Sequence, residues 1–438
     1  MSAAMLPLAA AAAPGFAAAQ YAPALQAVLR ASPEPGVSSF YASNAYRPIW
    51  VRGGSVSPDA ERLVRIIRDA DLDGMQSAQE LAERLQRSLE RARSGNDRDL
   101  AEAEAALSSA WVRYVRTLHR PVDVGMIYAD PSLSPSTPSE EAILSAAAAA
   151  PSLARHLETV SEINPIYRDL RKALAALRDS GARDPAAEQR LKINLDRARV
   201  LPGSLKGKYI LVDAASQRLW MYEDGQERGS MRVVVGKPDE QTPMLAGLVE
   251  TAVLNPYWNV PPDLVQKKIA PSVLQQGVGY LKAKGYEVLS DWFADATQLD
   301  PKDVDWAAVA AGREEVRVRQ LPGGENAMGD VKFMFPNRHG IYLHDTPERA
   351  LFSKTQRTFS SGCVRLEDAD RLAAWLFGNA PRAESSAPEQ TVALPTPVPV
   401  FITYLTASSE GGKLALRRDP YGLDSVQGRS STQMAALP

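Results

Sequence analysis

The only thiol in this 438-residue chain, Cys363, sits in Ser360-Ser361-Gly362-Cys363-Val364-Arg365. It lies nineteen residues beyond His344, in the strand-like run 340-GIYLHD-345. A cysteine and a histidine in reach of each other suit acyl transfer. The histidine takes the thiol proton and later returns one to the leaving amine. Small neighbours leave the sulfur approachable, and Gly362 lets a substrate backbone pass closely. The N–H groups of Gly362 and Cys363 are candidate oxyanion donors. Arg365 and a helix expected about four residues after the cysteine would favour the thiolate, lowering its pKa from about 8.5. In a strand Tyr342 and His344 share one face, with Ile341 and Leu343 on the other. Asp345 points away from the His344 face, so a backbone carbonyl is the better orienting acceptor for the imidazole. His339 and His344 project to opposite sides, which disfavours a two-histidine metal site. Taken alone, the pair also fits an inert buried thiol and a core histidine.

Around this segment the chain reads as α+β. From about 20 to 202 it is helical: Ser57-Pro58-Asp59 starts a helix that Gly74 stops, and Leu100, Leu107, Trp111, Tyr114 and Leu118 line one face of another. His119, near that helix end, is expected to complement the helix dipole. The last helix, around 186–200, ends at Pro202-Gly203. A Ser/Pro-rich connection (131–139) and the alanine run 145–150 lie between. At Lys208 the texture changes to β-rich runs, Tyr209–Val212, Arg218–Tyr222 and Met231–Val235, with Asp224-Gly225 a hairpin signal. Residues 263–312 turn helical, with Trp292, Phe293 and Trp306 as expected anchors. Strand character returns at Val316–Gln320 and Val331–Phe335. A helix follows at about 367–378, a Pro-rich link at 381–399, and a final strand at Val400–Leu405. The glycines of 276-QGVGYLKAKG-285 lack a preceding strand and a phosphate-loop Lys/Ser, so nucleotide binding is rejected.

The strings 340-GIYLHDTP-347, 359-FSSGCVR-365 and 255-NPYWNVPPDLV-265 resemble the L,D-transpeptidase catalytic domain (YkuD-type), and most closely its large YcbB-like branch. The resemblance runs from about Asn194 to Gly422. It implies that Cys363 is the acyl-accepting nucleophile and His344 its base, with Tyr342, Ser361, Gly362 and Arg365 shaping the donor site. Many such domains carry histidine immediately before the Gly-Cys pair. Ser361 stands there in this chain, as in the YcbB-like pattern. The insertion 263–312 looks like that branch's capping subdomain, with a structural insertion as the plain alternative. Trp258 and Asn259 are candidates for the cleft floor, Trp258 equally for core. No inserted peptidoglycan-binding module is recognisable between 75 and 185.

The expected organisation is therefore a signal-like leader (1–19), a helical scaffold domain (20–202), and a mostly antiparallel β L,D-transpeptidase catalytic domain (203–405) containing the cap. A C-terminal extension (406–427) and a disordered tail (428–438) follow. The leader is uncharged and ends in Ala17-Ala18-Ala19, but has no basic start, since Arg30 is the first cation. Export to a Gram-negative periplasm is the expectation. No other stretch reaches the roughly 18 apolar residues of a spanning helix. Fifty Lys plus Arg against 52 Asp plus Glu leave a net charge of −2, no footprint for nucleic acid. One cysteine excludes an intramolecular disulfide and any multi-thiolate metal site, and no cofactor is called for. The resemblance implies donor and acceptor peptidoglycan stem peptides as partners, besides cell-wall synthesis or hydrolysis proteins. It also implies reaction with carbapenems and a 3→3 or 1→3 cross-link. Two other readings stand beside the transpeptidase: a cysteine-dependent carboxypeptidase or amidase, and a non-catalytic wall-binding scaffold.

Overall fold

A computed structural model describes residues 18–30, 34–181, 183–203, 206–292, 296–410 and 413–425. Most of the leader, Phe293 and the tail 428–438 lie outside the described residues. The chain divides into two compact units. One takes Met1–Val122, Pro135–Gly203 and Ser409–Leu414, and the other Asp123–Ser134, Ser204–Ser408 and Ala415–Pro438.

The first unit is helical, with a small hairpin, Val51–Arg52 against Ser55–Val56, that its sequence did not announce. The helix Pro58–Arg68 has proline in its first turn, Asp59 and Glu61 beside it, and Arg65 and Arg68 at its end, all favourable to the helix dipole. The helix Asp97–Leu118 is capped by Asn96, whose side chain accepts from the N–H groups of Arg98 and Asp99. Its expected apolar face, from Leu100 to Leu118, is buried. The same helix also buries Glu104. The Glu104 carboxylate accepts from the N–H groups of Ile49 (2.5 Å), Trp50 and Val51 (3.0 Å each), and from the Tyr41 hydroxyl (2.6 Å). Burial pushes its pKa up to about 7 against those hydrogen bonds. His119 departs from expectation. Burial and the Arg199 guanidinium push its pKa down. Arg199 itself donates to the terminal carbonyls of Thr117 (3.3 Å) and Leu118 (2.7 Å), so arginine meets the negative helix end.

The second unit is built on strands β1 (Lys208–Asp213), β2 (Arg218–Glu223), β3 (Gln226–Gly236), β4 (Leu245–Leu254), β5 (Val331–Met334), β6 (Leu343–His344), β7 (Val364–Leu366) and β8 (Gln390–Thr403). They pair in the order β5-β6-β7-β3-β2-β1-β8-β4, and β4 returns to β5, closing the sheet into a ring. Closure leaves no long unpaired edge. Most pairings are antiparallel; β6 with β7 and β1 with β8 are parallel. The β2–β3 hairpin turns at Asp224-Gly225, both at positive φ. Strand β4 escaped the sequence reading because it is buried at nearly every position and shows no alternation. Much of the expected Pro-rich link is instead β8, whose register breaks between Ala393 and Val398, where Pro395 and Pro397 lack ladder donors. Residues 123–134 belong here: Ile127–Tyr128 pairs with Leu245–Ala246.

The insertion is not purely helical. Short helices from Pro262 to Ala310 pack with a small sheet in which Arg317–Gln320 joins Trp258–Val260 to Tyr286–Leu289, itself paired with Gln298–Leu299. The subdomain has its own core of Val260, Leu264, Ile269, Val288, Trp306 and Val318, separate from that of the closed sheet. Trp306 is an anchor there, whereas Trp292 is exposed, with the Arg317 guanidinium 5.9 Å from its ring.

Candidate active site

Register assembles the site. Leu343 pairs with Val364 and His344 with Arg365 across the parallel β6–β7 ladder. Leu343 and Val364 are fully buried and point into the core. Strand alternation therefore brings Tyr342, His344, Cys363 and Arg365 to the opposite face, side by side. On the other edge of β6, Lys332 is the antiparallel partner of His344, so a cation flanks the histidine on both sides.

His344 is only 2% exposed. Its Nδ1 lies 2.5 Å from the main-chain oxygen of Asp345. A carbonyl only accepts, so Nδ1 carries the proton and Nε2 keeps a free lone pair. The Asp345 carboxylate is occupied elsewhere, by Arg349 (2.6 Å) and the Asp330 N–H (3.0 Å). Burial, then Arg365 and Lys332, push the imidazole pKa down to about 3. The imidazole is therefore held neutral.

The Cys363 side chain is half-buried, and its thiol donates to the Gly340 carbonyl at 3.5 Å. The Tyr342 hydroxyl also hydrogen-bonds the sulfur, and the Tyr342 ring stands edge-on to His344 at 5.7 Å. The expectation of a lowered thiol pKa is overturned: burial pushes it up to about 11, outweighing Tyr342 and Arg365. Two causes weaken the expected helpers. Arg365 is ion-paired to Glu348. The following helix, Ala369–Phe377, starts later than expected, and the Asp368 carboxylate already caps it by accepting from the Arg371 N–H.

The loop before Cys363 is tightly tied. Gly362 has φ +108°, and an added Cβ would come 3.1 Å from Ile341 Cδ1, so glycine is needed there. Its N–H donates to Ser360 Oγ (3.2 Å), whose hydroxyl donates to the Cys363 carbonyl (2.6 Å). Of the two expected oxyanion donors, the Gly362 N–H is thus engaged inside the loop. Ser361 is exposed, and its nearness helps hold the Glu240 carboxyl below its ordinary pKa together with Lys237. Trp258 packs in the cap against Tyr286, with ring centroids 6.3 Å apart, and Asn259 is exposed on the same short strand.

Sequence reasoning missed three supporting residues. Asn337 shapes the turn that presents the Gly340 carbonyl, accepting from the His339 and Ile341 N–H groups (3.1 Å each) and donating to the Ile341 carbonyl (2.7 Å). An Asn three residues before a Gly is a turn signal that was there to be read. Glu240 and Thr242 reach the loop from a different segment, and no local pattern marks them. Among the described residues, no group of three or more His, Cys, Asp or Glu is arranged to hold a metal ion.

Residues 207–400 match the family model of the L,D-transpeptidase catalytic domain, YkuD. Residues 35–174 match a family model described as a scaffold domain, so a helical scaffold precedes the β-rich catalytic domain. A protein of Haemophilus influenzae named "Putative L,D-transpeptidase" is 32% identical over 275 residues, covering 61% of this chain and 54% of its own length. The chain thus spans about half of that relative. Among solved structures, an L,D-transpeptidase from Mycobacterium smegmatis covers 46% of this chain and 60% of its own, at 12% identity and TM-score 0.23. The catalytic domain of an E. faecium L,D-transpeptidase covers 45% of this chain and 98% of its own, at 14% identity and TM-score 0.23. Likeness that low leaves the assignment to the family matches. Among the described residues no helix is long and apolar enough to cross a membrane.

Proposed function

We propose that this L,D-transpeptidase-family chain cross-links peptidoglycan through a thioester on Cys363. The supporting observation is the parallel register that sets Tyr342, His344, Cys363 and Arg365 on one face. In the first half-reaction His344 Nε2 takes the thiol proton as Sγ attacks a donor stem-peptide carbonyl. The oxyanion develops beside the Cys363 N–H. The C–N bond then breaks, and His344 returns the proton to the departing amine. In the second half-reaction the amine of an acceptor stem attacks the thioester carbon and loses its proton to His344. Sulfur leaves as thiolate and is reprotonated from the imidazolium. The new bond is an amide, 3→3 if the acceptor is diaminopimelate and 1→3 if it is L-alanine.

A neutral histidine beside a neutral thiol fits this sequence of events, because the proton moves only when substrate excludes water and the carbonyl is in place. The Arg365 fork suits a donor carboxylate or amide, with Glu348 occupying it in the free protein. The cap, whose core is its own, serves as a lid that favours the amine acceptor over water. A periplasmic location and reaction with carbapenems go with the same reading. Incubation with purified muropeptides tests it: cross-linked dimers support transfer. Trimmed monomers alone would mean that water is the acceptor. No change at all would leave a wall-binding protein.

A further inference from the structure

Beyond residue 400, where the family match ends, the C-terminal segment folds back onto the loop Gly236–Thr242. Tyr421 stacks on Tyr404, with ring centroids 5.1 Å apart and planes 15° from parallel. The Tyr421 N–H donates to the Tyr404 hydroxyl (2.9 Å), which donates to Asp419 (2.5 Å). Asp419 in turn accepts from the N–H groups of Leu423 (3.0 Å) and Asp424 (2.8 Å). The segment is thus a closed, self-bonded clasp. On this side the buried Tyr421 hydroxyl donates to the Gly236 carbonyl (2.8 Å) and accepts from the Thr242 N–H (3.4 Å), and the Tyr421 carbonyl accepts from Gln241 Nε2 (3.4 Å).

Thr242 carries the connection forward. Only 3% exposed, its hydroxyl accepts from the Gly236 N–H (2.8 Å) and donates to the Gly362 carbonyl (2.7 Å). That carbonyl belongs to the peptide group whose N–H is that of Cys363. A hydrogen bond to the oxygen of a peptide fixes the plane, and so the aim, of its N–H. The adjoining loop adds a second tie, Lys237 N–H to the Ser360 carbonyl (2.9 Å).

We infer that Thr242 and Tyr421 are positioning residues for the acyl transfer, with the C-terminal clasp aiming the Cys363 N–H and the sulfur at the substrate carbonyl through Gly362. The inference rests on the transpeptidase reading for its activity readout. Its geometric basis is the unbroken path from Tyr421 through Thr242 to the peptide of the nucleophile. A donor N–H must sit about 3 Å from the developing oxyanion, and a misplacement of about 1 Å costs on the order of 100-fold.

The test uses the full chain with Thr242→Val, Thr242→Ser and Tyr421→Phe, the last keeping the stacked ring and losing the hydroxyl. Thermal melts, kcat and KM for dimer formation, and the rate of Cys363 alkylation at high pH are measured for each. Thr242→Val is expected to lower kcat on the order of 100-fold with KM within about twofold, and Tyr421→Phe roughly tenfold. Thr242→Ser should restore kcat to within about threefold of wild type. Alkylation at high pH, which needs no oxyanion donor, should change less than about threefold. If Thr242→Val does not fold, Tyr421→Phe decides. A folded Tyr421→Phe protein with wild-type kcat overturns the inference, as does a Thr242→Ser protein no better than Thr242→Val. If wild type itself forms no dimers, the transpeptidase reading has failed. The clasp is then judged by amide hydrogen exchange: protection of the Gly362 N–H, which donates to Ser360 Oγ, unchanged in Thr242→Val and Tyr421→Phe overturns its hold on the loop.

Discussion

The resting state of the nucleophile can be tested through its reaction with iodoacetamide. Burial pushes the Cys363 thiol up to about 11 from an ordinary 9.0. At pH 7 the thiolate fraction is then about one in ten thousand, against about one in a hundred for an unperturbed thiol. The more basic thiolate is intrinsically the better nucleophile. A Brønsted slope of about 0.4–0.5 over two units returns roughly tenfold of that hundredfold loss. Alkylation of Cys363 at pH 7 should therefore run about tenfold slower than that of an unperturbed thiol and keep rising with pH beyond 9. His344, neutral and absent among the groups that shift the sulfur, should matter little: His344→Ala should alkylate within about threefold of wild type yet lose nearly all turnover. Because Cys363 is the only thiol, mass spectrometry reads the rate without ambiguity. A rate at pH 7 above that of a free thiol, or a plateau below pH 8, would refute the reasoning. It would mean a thiolate–imidazolium pair instead of a neutral one.

Arg365→Lys should stay folded and lose on the order of tenfold or more in kcat/KM, since an ammonium cannot reproduce a two-pronged grip; steady-state kinetics and a melt check both parts. Glu348→Gln should lower KM for a carboxylate-bearing donor with little change in melting temperature, because the pair it breaks is largely exposed on the glutamate side. Deleting 263–312 should leave the closed sheet folded, because the cap has a separate core, while cross-linking is lost; circular dichroism and product analysis read the two outcomes. In the scaffold, the Glu104 pKa is raised from 4.5 to about 7, so the folded state binds the extra proton. Its stabilisation is full below pH 4.5 and is lost as pH rises through 7, on the order of 3 kcal/mol across the window. Denaturant melts should show that loss in wild type, and Glu104→Gln should flatten it.

Local pattern carried the reading where one segment holds all the information. The Asp224-Gly225 turn, the Asp97–Leu118 helix and the acceptor for His344 follow from turn chemistry, helical periodicity and strand alternation. What failed depended on pairing between distant segments. The thiol pKa turned on burial of the sulfur by residues distant in sequence, and on Glu348 claiming Arg365, neither visible in 360-SSGCVR-365. Of the cap's strands Arg317–Gln320 was expected; Tyr286–Leu289 and Gln298–Leu299 are four and two residues long, too short for a period-two signal. Thr242 stands 120 residues before Gly362 and 179 before Tyr421, so no local motif announces the connection.

The claim on which the account stands is a covalent acyl-enzyme at Cys363 that an amine resolves. Mixing the full chain with a purified disaccharide–tetrapeptide and following intact mass by rapid quench reads it directly. A transient adduct is expected, equal to the donor less its leaving group and mapped to the peptide holding Cys363. That adduct should disappear as dimers form, and Cys363→Ala should give neither. Dimers formed by Cys363→Ala, or turnover with the acyl group mapped to any other residue, would contradict it.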